Sequence, residues 1–191
     1  MICTLCNRHE AIFHRLYSGE KLCEKCFSES IVKRVRKTIS KYGMLRRDDR
    51  IAVAVSGGKD STSLLHVLYE IEKDFSKAEL FVLTVDEGIE DYRDEALKIV
   101  EKNREKLSIE WEKVSFSELY GLTLDEIAEK TMNEKGELTP CSFCGVLRRK
   151  ALNKASKNFK ATKLIVGHNL DDEVQTMLLN VVHGDVFRIS R

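Results

Sequence analysis

The chain is poor in several things at once. It has no apolar run approaching the ~20 residues that a bilayer-spanning helix needs, and Met1 leads straight into Cys3 without the charged-then-apolar leader of an exported protein. Neither a membrane partner nor secretion is expected, and the chain reads as cytoplasmic. Internal repeats and low-complexity tracts are missing too, which excludes solenoids and disordered arrays. Net charge is close to nil: +1, with a pI near 7.6, rules out a uniform basic coat. There is one proline, Pro140, beside abundant Lys and Glu, a composition that points toward a thermophilic source. What is present in quantity is apolar residue, 42% of 191, enough for one ordinary domain core plus a small module.

The small net charge conceals blocks. Residues 1–50 carry 12 Lys/Arg against 6 Asp/Glu, residues 51–140 carry 11 against 21, and residues 141–191 carry 9 against 4. Basic ends flanking an acidic middle suit a polyanion such as RNA, although charged helix faces alone would give the same counts.

All six cysteines fall in pairs two residues apart. In a cytoplasmic chain that spacing argues for metal or sulfur chemistry rather than disulfides. Cys3, Cys6, Cys23 and Cys26 have the arrangement of a four-cysteine zinc site, two tight knuckles closing a tetrahedron, and the metal would supply folding energy that so short a segment lacks. His9 and His14 lie in the intervening loop and are expected at the surface. From Glu29 to about Leu45, Ile31, Val32, Val35, Ile39 and Tyr42 recur at helical spacing, while Lys33, Arg34, Arg36, Lys37 and Lys41 fill much of the remaining circumference. The expected organisation is a zinc module at 1–27, a linking basic helix at 28–47 and a main domain at 48–191.

The main domain alternates. Strands are expected near 51–55, 80–85, 109–114 and 163–166, with helices near 60–73, 91–107, 123–134, 145–157 and 171–182. Such alternation makes an α/β fold, a parallel sheet with helices on both faces, whose ligands gather at the carboxyl ends of the strands. Three motifs sit there: Ser56-Gly57-Gly58-Lys59-Asp60-Ser61, Asp86-Glu87-Gly88, and Gly167-His168-Asn169. The first is a buried strand breaking into a glycine turn at a helix start, which presents N–H groups and the positive end of the helix dipole to a phosphate. It does not fit GxxxxGK[ST], since the glycines are adjacent and Asp60 follows the lysine.

The string SGGKDS resembles the signature of the PP-loop ATP pyrophosphatases, which cleave ATP between the α and β phosphates. Together with VDEGI at 85–89 and Arg93, PCSFCGVLRR at 140–149 and GHNLDDEVQT at 167–176, it resembles the tRNA 2-thiouridine synthetases related to TtuA, and the N-terminal zinc module sharpens the likeness. The resemblance covers essentially the whole chain. It implies an adenine-nucleotide alpha-hydrolase-like fold and an ATP-dependent tRNA sulfurtransferase: the 2-oxygen of a uridine attacks the α-phosphorus, pyrophosphate leaves, and sulfur displaces AMP. Ser56, Gly57, Gly58 and Ser61 would cradle phosphate, with Lys59 as a point charge. Asp60 and Asp172 would hold magnesium or orient the reacting groups, although Asp171 is equally placed as a helix-start acid. Ala54, Val55, Val85 and Gly167 would surround the adenosine, and Arg148 would stabilise charge near the phosphates. Cys141 and Cys144 correspond to two of three family cysteines that bind a [4Fe-4S] cluster or, in another view, form persulfide and disulfide intermediates. The partners implied are tRNA and a sulfur donor, either a ubiquitin-like thiocarboxylate protein or sulfide, with a homodimer among the assemblies allowed.

Family members continue beyond the position of Arg191, with a fifth strand, the third site cysteine and usually a second four-cysteine module, so a C-terminally truncated member is the expectation. Three alternatives stay open from the residues: a second zinc site or inert thiols at Cys141 and Cys144; another PP-loop chemistry, such as lysidine, NAD or GMP synthesis; and a non-catalytic, zinc-dependent tRNA-binding subunit.

Overall fold

The computed structural model describes residues 1–75, 77–89, 92–133 and 140–189, and for 92, 131–133 and 140–142 the backbone only. The chain divides into two compact units, Met1–Asp49 with His66–Glu79, and Arg50–Leu65 with Leu80–Arg191.

The first unit opens with two three-residue strands, β1 (Phe13–Arg15) and β2 (Glu20–Leu22), paired antiparallel with Phe13 opposite Leu22. Helix α1 (Glu24–Tyr42) follows directly, with Cys23 as its N-cap residue and Gly43 closing its end onto the carbonyls of Ile39 and Ser40. Its start lies five residues before the one expected from apolar spacing, so Cys26 is helical and α1 begins inside the expected zinc module. The core around the cysteines is tiny: buried Cys3, Leu22 and Cys23, flanked by Cys6, Cys26 and Phe27, with the Phe13 and Phe27 rings 4.5 Å apart. Arg15 is buried as well, and donates to Glu20 Oε2 at 2.6 Å and Ser30 Oγ at 2.8 Å.

After α1 the alternation begins: β3 (Arg50–Ala54), α2 (Lys59–Glu72), β4 (Glu79–Asp86), α3 (Tyr92–Leu107), β5 (Glu110–Ser115), the short α4 (Phe116–Tyr120), α5 (Leu124–Asn133), α6 (Pro140–Asn158), β6 (Lys163–Ile165), α7 (Leu170–Val182) and α8 (Val186–Ile189). The sheet has the order β5-β4-β3-β6, and its β3–β6 and β4–β5 pairs are parallel. On one face Ala52, Phe81 and Leu83 pack with Ala155 and Leu152 of α6. Ile51, Val53 and Val82, which point the other way by the two-residue pleat, are also fully buried, so both faces are covered.

The order contains a reversal. The chain steps outward from β3 to β4 to β5 and then returns to place β6 on the other side of β3. Crossovers on opposite sides of β3 leave a crevice at the carboxyl ends of β3 and β6, where ligands of open α/β sheets bind. Helix α6 begins at Pro140, five residues before the expected start, and carries both cysteines of its CxxC pair. Positions 91 and 134 of the expected helices lie outside the described residues. At the end of the described chain, neither α7 nor α8 contains a buried residue, and Leu170, Met177, Val182 and Phe187 are all exposed. Among the described residues no helix is long and apolar enough to cross a membrane.

Candidate functional site

The crevice is built by β3 and its turn. Val55 N–H still donates to Leu83 O at 3.0 Å, and Val55 O accepts from the buried Thr84 hydroxyl at 3.0 Å. Thr84 Oγ1 in turn accepts from Trp111 Nε1 at 3.0 Å. Past this anchor the chain leaves the sheet. Ser61 braces the turn from within: its hydroxyl donates to Gly58 O at 3.1 Å and accepts from Ser56 N–H at 3.2 Å. The first N–H groups of α2 have no intrahelical acceptor, so the turn directs donors and the helix dipole outward.

Three glycines fix its position and openness. Gly57 sits at φ +87, and a Cβ there would lie 2.6 Å from Ala96 O on α3. Gly167, just beyond β6, would put a Cβ 3.0 Å from Ser61 Cα. At Gly58, by contrast, an added Cβ meets only Ser56 Oγ at 3.5 Å. The two glycines of the motif therefore differ in what they do. Gly57 lets the turn lie against α3, and Gly58 keeps its outer side open. Gly58→Val is expected to leave folding intact and abolish measurable ATP binding by calorimetry, whereas Gly57→Val should lower the thermal midpoint as well. A Gly58→Val protein that binds ATP as the parent does would put the phosphates elsewhere.

Beside the turn lies a charge network centred on Glu87, to which sequence reasoning gave no role, with Arg93 buried and Arg148 half exposed. Glu87, 3% exposed at the end of β4, receives two arginines. Arg148 Nε donates to Glu87 Oε1 at 2.6 Å, and Arg93 Nε is 3.2 Å from Glu87 Oε2. Arg93 then reaches two backbone carbonyls, Ser56 O at 3.3 Å and Val85 O. Arg148 Nη2 lies 3.1 Å from Cys144 Sγ. One carboxylate thus joins the phosphate turn, through Arg93, to the thiol of Cys144, through Arg148. Two guanidinium groups against one carboxylate leave the cluster net positive, as an anionic ligand requires. No periodicity points to Glu87; the available signal is an acid at a strand's carboxyl end followed six residues later by an arginine.

The other expected site residues are distributed as follows. Lys59 Nζ holds its neighbour Asp60 at 3.0 and 3.2 Å, an exposed pair of little energetic weight that an incoming phosphate and cation can separate. Ala54 ends β3 and Val55 follows it, Val85 lies near the end of β4 with its carbonyl on Arg93, and Gly167 faces the start of α2. Asp172 has a structural part in the helix start. With Asn169 it forms a reciprocal cap, its Oδ2 accepting from Asn169 N–H at 2.8 Å while Asn169 Oδ1 accepts from the N–H groups of Asp171 and Asp172. Asp171 N–H takes part only as a donor. Cys144 is buried, and Cys141 is helical in the first turn of α6, but its side chain lies outside the described residues.

In the first unit, the four thiol sulfurs of Cys3, Cys6, Cys23 and Cys26 lie within 4.8 Å of one another. Four convergent soft donors, two of them buried, fit a tetrahedral zinc. His9 is exposed, as expected, with its Nδ1 3.6 Å from Cys6 Sγ. That imidazole, with the backbone N–H groups of Arg8 and His9, holds the Cys6 thiol down to about 5. Loss of water and the neighbouring sulfurs push Cys26 up to about 12.

A family profile described as a PP-loop domain matches residues 27–189. Cytoplasmic tRNA 2-thiolation protein 1 of Chlamydomonas reinhardtii is 39% identical over 191 residues, which are 100% of this chain and 52% of that protein. The protein of the same name from Dictyostelium discoideum is 38% identical over 100% of this chain and 52% of its own length. The chain thus spans about half the length of the curated relatives it matches. Among solved structures, the U34-tRNA thiolase NcsA from Methanococcus maripaludis with its [4Fe-4S] cluster superimposes with a TM-score of 0.85 at 38% identity, covering 98% of this chain and 61% of that one. An NH3-dependent NAD synthetase from Campylobacter jejuni, at 17% identity, a TM-score of 0.53, and coverage of 74% of this chain and 57% of that one, shares the fold alone.

Proposed function

The chain belongs to the PP-loop domain family, and from that membership we propose that it is the ATP-binding portion of a cytoplasmic enzyme that replaces the 2-oxygen of a tRNA uridine with sulfur. The observation that carries the reading is the joining, by Glu87, of a phosphate-type turn to a buried cysteine. Identity to tRNA thiolation proteins along the full chain supports it. A PP-loop chemistry that uses a nitrogen nucleophile gives that cysteine nothing to do.

In this reading the turn at Ser56–Ser61 and Lys59 bind the ATP phosphates, while Asp60 and Asp172 would hold magnesium, their hard oxygen donors suited to a cation that neutralises phosphate charge. The uridine 2-oxygen attacks the α-phosphorus, the bond to the β-phosphate oxygen breaks, and pyrophosphate carries away the electron pair. Arg148 faces the developing negative charge from a position that Glu87 fixes before the reaction begins, and buried Arg93 ties Glu87 to the turn. A sulfide-level sulfur nucleophile then adds to C2 and AMP departs with the original oxygen and the electron pair of the C–O bond, so no net oxidation or reduction is needed. Zinc at Cys3, Cys6, Cys23 and Cys26 holds the first unit. The cluster of the solved thiolase does not fit this chain's residues alone. Beyond the zinc set the sequence offers Cys141 and Cys144 and no third thiol, so the sulfur carrier is not assigned.

Exchange of labelled pyrophosphate into ATP tests the reading. Exchange is expected only when tRNA is present and should be lost in Lys59→Met. Exchange independent of tRNA would favour another nucleophile, and ATP binding with no exchange would favour a non-catalytic tRNA-binding subunit.

A further inference from the structure

The turn between β1 and β2 carries Leu16 and Tyr17 into solvent, 85% and 72% exposed. Singly exposed apolar residues are ordinary, but Tyr17 stands against two cations. The guanidinium carbon of Arg34 is 5.4 Å from its ring centroid and that of Arg15 is 5.9 Å away. Arg15 is itself held by Glu20 and Ser30, so one of the two charges at the ring is fixed in place.

Arg34 belongs to a stripe. Lys33, Arg34, Lys37 and Lys41 are all exposed, and at 100° per residue they fall within an arc of about 100° on α1. Ile31, Val32, Val35 and Ile39 turn to the other side. Neither Lys33 nor Lys37 has an acidic partner among the described residues. At the end of the stripe Lys41 lies 5.0 Å from the ring of exposed Tyr42. Unneutralised cations in a row, with aromatic faces beside them, match a ligand that offers phosphates in series and bases free to stack. A membrane surface offers the first of these and not the second.

We propose that this face of the first unit binds RNA, with Lys33, Lys37 and Lys41 on backbone phosphates and an unpaired base stacked on Tyr17 beside Arg34. The assignment rests on the tRNA thiolation reading and names the surface by which the substrate would be held.

Binding of a tRNA transcript to the zinc-loaded chain, followed by anisotropy across a salt series, separates the two parts. Each phosphate contact contributes about 0.7–0.9 to the slope of log K against log salt. Replacing Lys33, Lys37 and Lys41 together by Gln should therefore lower that slope by about 2–3. Tyr17→Ala should weaken binding about 5- to 160-fold with the slope unchanged, and Tyr17→Phe should retain parental affinity. These side chains are exposed, and unchanged zinc content and circular dichroism would verify folding. Parental binding in both the lysine and Tyr17→Ala variants would remove this surface while leaving the thiolation reading intact. A parent that binds no tRNA at any salt would overturn both. Anionic phosphatidylserine vesicles that bind more tightly than tRNA, with loss in the same variants, would reassign the face to membranes.

Discussion

Withdrawing metal from the first unit is expected to unfold β1, β2 and the start of α1. The apolar content holding these elements is Leu22, Phe13 and Phe27 around four sulfurs, far short of what an independent core needs. Structural zinc in small modules contributes about 10–16 kcal/mol. Chelation, or Cys23→Ser with Cys26→Ser, should abolish stoichiometric zinc by metal analysis and remove amide-exchange protection over residues 11–30. Protection that persists without metal would show that the hairpin folds by itself. The thiols also set a pH dependence. Cys6, held at about 5, is ionised at pH 7, whereas Cys26, pushed to about 12, is protonated and must lose its proton to bind. Zinc affinity should therefore rise with pH, and addition of zinc at pH 7 should release fewer than four protons per metal.

Glu87→Gln is expected to be the most damaging single change outside the four-cysteine cluster. It removes the carboxylate charge that faces buried Arg93 and half-exposed Arg148, and stranding the buried Arg93 charge in this way costs about 3–5 kcal/mol. Arg93 would also be freed from the geometry that aims it at Ser56 O and Val85 O, so ATP affinity should fall together with the melting temperature. Glu87→Asp preserves charge but shortens reach. It should recover most of the stability and only part of the nucleotide affinity, and that split distinguishes positioning from simple charge balance. Unaltered melting and ATP binding in Glu87→Gln would deny the network both roles.

Much of the second unit is legible in the sequence because its signals are local. Residues 51–55 form an unbroken apolar run that breaks at two glycines, and β3 and the start of α2 fall within a residue of that reading. Other features depend on distant partners. The three-residue strands of the hairpin are too short for a two-residue period to register, and sulfurs rather than alternation hold them. The five-residue α4 announces itself only by its Ser115–Glu118 capping box, a pattern readable in retrospect. The start of α6 has a local signal too, since proline favours the first helical position, but the apolar spacing begins further on and masks it. Asp172 shows the opposite limit, because its match to a family motif conceals a cap that any helix start could use. The strand order and the double engagement of Glu87 arise only when residues far apart in sequence meet.

The bareness of α7 and α8 bears on how these 191 residues behave when prepared by themselves. Their leucines, valines and Phe187 are then in water in the folded state, so clumping of that preparation does not have to wait for unfolding. Concentration, and salts such as sulfate that strengthen apolar contact, would govern its colloidal behaviour alongside the melting point.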